Sequence, residues 1–519
     1  MTVVSIGAWR FTLRGAELAD IVYDDGVAST RAPVLRAIRF VTRDQDWRTA
    51  DDTEVGRTLS SVTATGGTLR LEASSRYDGV EVLRYVLVVT VDGPTIHVDA
   101  VGTTTTPFRR SRIGLVVLHP PTLAGVPFTA RHPSGDTTET VFPTWIAPHQ
   151  PAADLAGLRW TTGRTALSLD LAGDVFEMED QRNWTDASYK TYSTPLSEPF
   201  PVALDAGSVV RQSLTLRATT DTRPGGTASP APDRTFLDRP APTAVVTPPP
   251  TLQLLAASAP AAARPPDDDD GPLGAVPILV EPVLGDPNVR AVLASARLDA
   301  GGAPLDVRFV TDDPDLLRAA IDDVLEHGPI VRVGAVDPAT HVTTPALQRV
   351  LREAADAAGA LEVVGGTRAH FTELNRTVDL FRDWDGPLTF SVTPQMHDRS
   401  PEQVTESIRM QRWVVSSASR LAAGRALHVG PVTLRPRFNA VATSARPVVT
   451  DATTDAGYGP QFVPDATDPE QHSSAAAAWF AASVEALSVP GVASITLAEA
   501  WGARGTPRRK GVGGAFRSG

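Results

Sequence analysis

Two different hydrophobic periods divide this chain. From residue 1 to about 220, apolar and polar positions alternate with a period of two. Thr68-Leu-Arg-Leu-Glu-Ala is one such run, and Val80-Glu-Val-Leu-Arg-Tyr-Val-Leu-Val-Val-Thr-Val is another. Asp92-Gly93 and then Thr95-Ile-His-Val-Asp-Ala follow, a strand–turn–strand order with Asp-Gly as the hairpin signal. Leu167-Ser-Leu-Asp-Leu and Val209-Val-Arg-Gln-Ser-Leu-Thr-Leu-Arg continue the alternation. Many short strands separated by Gly, Pro and Asp turns predict an N-terminal β-sandwich over residues 1–220.

Residues 221–275 break the pattern. The Pro248-Pro-Pro run, Ala-rich 256–263 and Asp267–Asp270 read as a low-complexity linker. Within it, Thr251-Leu-Gln-Leu-Leu is able to form a strand. From 276 to 505 the period switches. Apolar runs at Ile278–Val283, Leu305–Val310, Ile330–Val333, Leu361–Val364, Leu388–Val392, Leu427–Leu434 and Val492–Leu497 read as strands. Helical patterns fall between several of them. Asp315–Leu325 places Leu316, Ala320 and Val324 on one stripe, Thr344-Pro345 opens a helix that stops at Gly359, and Ser400-Pro-Glu-Gln403 reads as a capping box. Alternating strands and helices predict a parallel sheet. With 252–255 counted there are eight strands, the number a TIM (β/α)8 barrel needs. The fold class is therefore multi-domain, α/β plus all-β. Residues 506–519 carry no periodicity and read as a disordered tail.

Composition narrows the function classes. The formal net charge is −12, and no Lys/Arg stripe tracks a phosphate backbone, which argues against a nucleic-acid partner. The chain has no cysteine, which excludes disulfides, thiolate zinc sites and cysteine nucleophiles. Residues 1–10 do not read as a signal peptide, and no apolar run approaches the ~18 residues of a membrane span. The expected setting is the cytoplasm, away from membranes. Oligomeric state is not legible.

In a TIM barrel the chemistry sits at the C-terminal ends of the strands, and polar residues follow the strands here. Glu373 and Arg368 lie beyond 361–364, Gln395 and His397 beyond 388–392, and Arg435, Arg437 and Asn439 beyond 427–434. The last strand leads into Glu499-Ala-Trp501. Two carboxylates across a barrel mouth suit general acid–base or nucleophilic chemistry, which makes Glu373 and Glu499 the candidate catalytic pair. His397 is a candidate base or oxyanion donor, and Arg435 and Arg437 suit a carboxylate or developing oxyanion, one of them serving as an ion-pair partner only. Scattered carboxylates and histidines give no metal-ligand spacing, so neither metal nor cofactor is expected. No Gly-x-Ser-x-Gly elbow sits between a strand and a helix, which disfavours a serine-hydrolase triad.

One further segment, Phe176–Tyr192, packs Glu177, Glu179, Asp180, Asp186, Arg182 and Lys190 among Trp184, Tyr189 and Tyr192. So many charges predict that it lies outside the core. It reads either as a salt-bridged interdomain loop or as the wall of a polar-ligand site, with Trp184 shaping a sugar pocket.

Three stretches, Glu177-Met-Glu-Asp-Gln-Arg-Asn-Trp-Thr-Asp-Ala-Ser-Tyr-Lys-Thr-Tyr192, Gly365-Gly-Thr-Arg-Ala-His-Phe-Thr-Glu-Leu-Asn-Arg376 and Gly430-Pro-Val-Thr-Leu-Arg-Pro-Arg-Phe-Asn439, resemble the D-apionate lactonases of bacterial apiose catabolism. The resemblance extends to about Gly505. It implies a β-sandwich, a glycosidase-like TIM barrel and a small C-terminal β domain. The implied reaction opens D-apionolactone to D-apionate with water. The stretch after Arg504 departs from the family, and the last barrel helix and C-terminal domain are expected to be missing. On this reading Glu373 or Glu499 activates water and the other protonates the leaving ring oxygen. His397, Arg435 or Asn375 would hold the oxyanion, and Arg368, Asn375, Gln395, Arg437, Trp501 and Trp184 would contact a small-molecule sugar lactone. Two alternatives stay open: a glycoside hydrolase using the same glutamates, and a catalytically decayed carbohydrate-binding protein.

Overall fold

The computed structural model describes residues 1–26, 30, 32–220, 248–259, 263–264, 275–359, 361–442 and 466–507. Residues 221–247, most of 260–274 and 508–519, where linker and tail are predicted, lie outside the described residues. The described chain forms two compact units. The first takes most of the chain up to Thr220. The second takes the remainder apart from Val441–Ser444, which join the first, and, in addition, Arg182–Asp186.

The first unit is a β-sandwich of two nine-stranded sheets. Strict alternation along Val80–Asp92 buries Leu83, Tyr85, Leu87, Val89 and Val91 on one face. Tyr85 stacks on Phe40, from the Leu35–Asp44 strand of the other sheet, with ring centroids 4.8 Å apart. The Val80–Asp92 hairpin closes one residue later than its Asp-Gly signal suggests: Asp92 pairs with Thr95, leaving Gly93-Pro94 as the turn. Gly93 adopts φ 51°, a conformation glycine enters without the Cβ penalty.

The second unit is a closed barrel of eight parallel strands in sequential order. They are β1 (Thr251–Leu255), β2 (Ile278–Val280), β3 (Leu305–Val310), β4 (Ile330–Val336), β5 (Glu362–His370), β6 (Leu388–Val392), β7 (Leu427–Val432) and β8 (Val492–Glu499). Among the described residues the α-helices are α1 (Val289–Ala300), α2 (Pro314–Glu326), α3 (Pro345–Ala358), the short α4 (Phe371–Arg376), α5 (Pro401–Ala422) and α6 (Ser474–Leu487).

Local chemistry sets these helix ends. Thr344 caps α3 by accepting from Leu347 N–H, and Gly359 ends it in the left-handed conformation. Ser400 accepts from Gln403 N–H at 3.2 Å, but the return half of the predicted capping box is absent. The Gln403 amide instead donates to the carbonyls of Pro394 and Thr185. In α2 the buried stripe is Leu317, Ile321 and Val324, whereas Leu316 is 42% exposed. The predicted stripe is thus one residue out of phase at its N-terminal end, because a start at Pro314 rotates Leu317 toward the barrel.

Two strand limits differ from the apolar pattern and matter for the site. Strand β2 stops at Val280 rather than Val283, and Pro282 has no N–H to continue a ladder. Strand β5 runs on to His370 through Gly365-Gly366. A Cβ on Gly366 would stand 2.4 Å from the Thr389 carbonyl oxygen, so glycine is what lets β5 and β6 approach here. Arg368 and His370 are consequently strand residues, not loop residues.

The barrel interior is not wholly apolar. The register aligns Asp306 with Arg332 and Arg332 with Glu362 on three successive strands. Asp306 accepts from Arg332 at 2.6 Å and from Arg308 at 3.0 Å, and Arg332 reaches Glu362 at 2.6 Å. Arg308 also donates to Thr389 Oγ1, and His428 bonds Ser494. Burial alone would raise the Asp306 carboxyl; the two arginines hold it well below the usual carboxylate range.

Candidate active site at the barrel rim

The predicted rim residues fall into three groups of contacts and several separate pairings. The first surrounds a residue that the apolar pattern hid inside a strand. Glu281, immediately after β2, has a side chain only 8% exposed and takes a forked pair of bonds from Arg437 at 2.7 and 3.2 Å, with Arg368 3.8 Å away. Burial would raise this carboxyl, but Arg437 and Arg368 outweigh it and lower it. Arg437 also donates to the Arg368 carbonyl, and Arg368 to Nδ1 of His341 at 3.2 Å. Phe438 lies beneath both guanidiniums, at 4.4 Å from Arg368 and 5.4 Å from Arg437. Burial, reinforced by Arg368, pushes the His341 imidazole down to about 4, so it is neutral near pH 7.

Glu373 forms the second group. It stands at the third position of α4, with His370 as the N-cap, and its carboxylate accepts from its own N–H and from that of His370. This is the return arm of a capping box. Burial pushes the carboxyl up to about 7, against the opposing pull of these N–H groups and Arg376. Its Oε2 is buried with no hydrogen-bond partner. Two neighbours share that condition, Nδ1 of His370 and Oγ1 of Thr372. Burial, then Arg437 and His397, bring His370 down to about 3, so this ring is also neutral. Buried polar atoms are nearly always satisfied in folded proteins. Three such unpaired atoms fall within four residues at the C-terminal end of a barrel strand.

The third group is built by Arg182–Asp186, which cluster with the barrel unit. Asp186 Oδ2 accepts from Nδ1 of His397 at 2.8 Å. Trp184 sets its ring edge-on to His397, with centroids 5.1 Å apart, and Arg376 lies 5.5 Å over the same indole. Asn375 donates to Asn183 at 3.0 Å, Thr185 to the Thr393 carbonyl at 2.8 Å, and the Arg182 guanidinium stacks 4.2 Å over Trp413. The expectation that Phe176–Tyr192 lies outside the core is therefore corrected. Arg182 and Asp180 are at most 1% exposed, and Glu177, Asp186 and Lys190 are buried too. The charges tolerate burial because they are matched: Glu177 accepts from Leu196 N–H and the Tyr192 hydroxyl, Asp180 from Ala147 N–H, and Lys190 pairs with Glu179.

The remaining predicted residues are tied elsewhere. Gln395 and Arg435 both donate to Oδ2 of Asp468, at 2.7 and 2.8 Å. Each rim arginine of the 435–437 pair thus has its own carboxylate partner, not just one of them. Glu499, at the end of β8, accepts from Ser258 N–H at 3.1 Å and Oγ at 2.6 Å and pairs with Arg504 at 3.0 Å. Trp501 donates to Asp299 at 2.8 Å on the α1 side. Glu373 and Glu499 have no partner in common. Sequence reasoning left Glu281, His341, His370 and Asp468 out of the site. Glu281 carried the same signal as Glu499, a glutamate directly after an apolar strand, masked by the Pro-Val that follows it. Asp468 carried none.

A β-sandwich joined in one chain to an eight-stranded parallel barrel, with ionisable groups gathered at the C-terminal rim, defines the class: a TIM-barrel protein with an appended sandwich. The family model for the D-apionate lactonase N-terminal domain matches residues 1–221, and that for the D-apionate lactonase TIM barrel domain matches 331–515. The chain belongs to the D-apionate lactonase family. It is 35% identical over 232 residues to a D-apionate lactonase of Brucella anthropi, an alignment covering 43% of this chain and 36% of that relative. Among solved structures, a galactose mutarotase-like protein from Lactobacillus casei is 13% identical. It covers 42% of this chain and 100% of its own, with a TM-score of 0.26. A glycoside hydrolase family 97 enzyme from Pseudoalteromonas, in complex with acarbose, is 7% identical over 82% of this chain and 66% of its own, with a TM-score of 0.30.

Proposed function

We propose that this chain hydrolyses a sugar lactone, D-apionolactone being the expected substrate and D-apionate the product, at the rim around Glu373. The observation that carries this reading is the shielded, unpartnered Oε2 of a carboxyl pushed up to about 7. A group of that pKa accepts a proton efficiently near neutral pH. Glu373 takes a proton from water, and the oxygen attacks the lactone carbonyl. The tetrahedral oxyanion forms beside Arg368 and Arg437, the two guanidiniums that flank Glu281. The same guanidiniums suit the carboxylate of the opened product. Glu499, bonded at both oxygens to Ser258 and Arg504, is assigned to holding the β8–β1 end of the rim together.

The test is proton release from five-carbon sugar lactones by the purified chain. Hydrolysis of the branched lactone well above its spontaneous rate is expected, with kcat/KM rising as pH passes about 7 and Glu373 ionises. Glu373→Gln should lower kcat by at least ~100-fold, the scale of one acid–base group. A folded chain that ignores lactones but cleaves chromogenic glycosides would overturn the proposal.

A further inference from the structure

The sandwich unit carries a cleft of its own, with a volume of about 310 Å3. It lies on the strands Pro127–Arg131, Gly157–Thr162, Thr165–Ala172 and Val209–Thr220. We propose that this cleft binds a sugar bearing an anionic group, held between Arg159 and Arg217; the proposal stands independently of the lactonase reading. The antiparallel register sets Glu139, Thr129, Arg159, Ser168 and Arg217 side by side on five neighbouring strands, and all five line the cleft. The adjacent row, Phe128, Trp160, Leu167 and Ala218, is at most 3% exposed and fills the sandwich interior. Alternation along each strand therefore turns the arginine row outward.

Arg159 and Arg217 stand one strand apart, which separates their backbones by ~10 Å at the usual strand spacing. Neither guanidinium makes an ion pair or hydrogen bond among the described residues. The carboxylates close by on this face are engaged: Asp170 accepts from Arg131 at 2.7 Å, and Glu139 accepts from Thr129 Oγ1 at 2.6 Å. An anion seated between the two arginines relieves their mutual repulsion and takes hydrogen bonds from both forks.

The rest of the cleft suits hydroxyl groups. Half-buried Ser168 lies between the arginines, and in the next outward row Ala166 separates Thr161 from Thr219. The small alanine side chain leaves the space that the larger neighbours enclose. The hydroxyls of Ser168, Thr161 and Thr219 make no hydrogen bond among the described residues, so each is available to donate to and accept from a sugar hydroxyl. Glu139, at the end of the arginine row, repels a second negative charge but accepts from a neutral hydroxyl. The ligand's charge therefore belongs near Arg159 and Arg217 and its hydroxyls toward the threonines. Trp160 and Phe128 belong to the inward row and offer the sugar no stacking platform, which leaves charge as the main source of affinity.

Saturation-transfer NMR titrations of the full chain test this, with D-gluconate, D-glucose 6-phosphate and D-glucose as probes and sodium sulfate as competitor. At least one of the two anionic sugars is expected to bind with a Kd below about 10 mM, and D-glucose at least about tenfold more weakly. The tighter of the two anions tells whether carboxylate or phosphate is preferred. Raising salt from about 20 to about 500 mM should weaken binding, because the guanidiniums are exposed. Arg159→Gln and Arg217→Gln should each raise Kd by about tenfold or more, at an unchanged melting temperature. Arg70→Gln, on the same sheet but paired with Glu72, should change Kd less than about twofold. The proposal is overturned if neither anionic sugar binds up to about 50 mM, or if D-glucose binds as well as they do. It is equally overturned if the affinity survives both arginine substitutions, which places the ligand elsewhere. Displacement by sulfate at equal concentration would also overturn it, as the mark of an anion site without sugar recognition.

Discussion

Glu373 should reveal itself through stability as well as turnover. Its carboxyl is raised from 4.5 to about 7 in the folded chain. A rise of that size amounts to about 3 kcal/mol of differential stability. The sign follows from the direction. Below pH 4.5 the group is protonated in both folded and unfolded chains, and the folded state incurs no penalty. As pH rises from 4.5 through 7, the unfolded chain ionises first and folding loses up to about 3 kcal/mol. Glutamine keeps the shape and one acceptor for the His370 N–H but cannot ionise. Glu373→Gln and the unmodified chain should therefore unfold at similar temperatures at pH 4. At pH 9 the variant should be the more stable by about 3 kcal/mol, or ~6–12 °C in the melting temperature of a unit this size. Calorimetric scans of both proteins at pH 4, 6, 7.5 and 9 measure it. A difference independent of pH, or a variant less stable at pH 9, would refute the argument that burial raises this carboxyl. Gained stability with lost turnover is what a functional group held in an unfavourable environment produces.

Other consequences can be checked separately. Asp306→Leu removes the anion shared by Arg308 and Arg332 inside the barrel and should cost about 3–5 kcal/mol in denaturant unfolding, the scale of a broken buried ion pair. Glu499→Gln should weaken its pairing with Ser258 and Arg504 by about 1–3 kcal/mol while reducing kcat less than Glu373→Gln does; the reverse order would return Glu499 to the catalytic role. In α2, Leu317→Ala should destabilise by about 2–5 kcal/mol and its exposed neighbour Leu316→Ala by less than about 0.5 kcal/mol, which melting curves distinguish easily.

The sequence by itself determined the elements and their class. A period of two over the first 220 residues defines sandwich strands, and strand–helix alternation after 276 defines a barrel, because each period buries one face of one kind of element. Leu305–Val310 and Leu388–Val392 begin and end where their apolar runs do. Proline and glycine at helix ends act within a few residues, so the limits of α3 were equally legible. The rim as a source of polar groups also followed from the order of strands and loops.

Which of those groups meet was decided only in three dimensions. Asp186 and His397 are 211 residues apart, Glu281 and Arg437 156, and no local pattern relates them. The charged interior of the barrel depends on the register that aligns Asp306, Arg332 and Glu362, and a one-residue slip would turn these side chains to the other face. The buried Phe176–Tyr192 stretch makes the same point from the other side. Charge alone predicts exposure, but what determines whether a charge can be buried is its partner, and the partners here include His397 and Trp413 from distant parts of the chain.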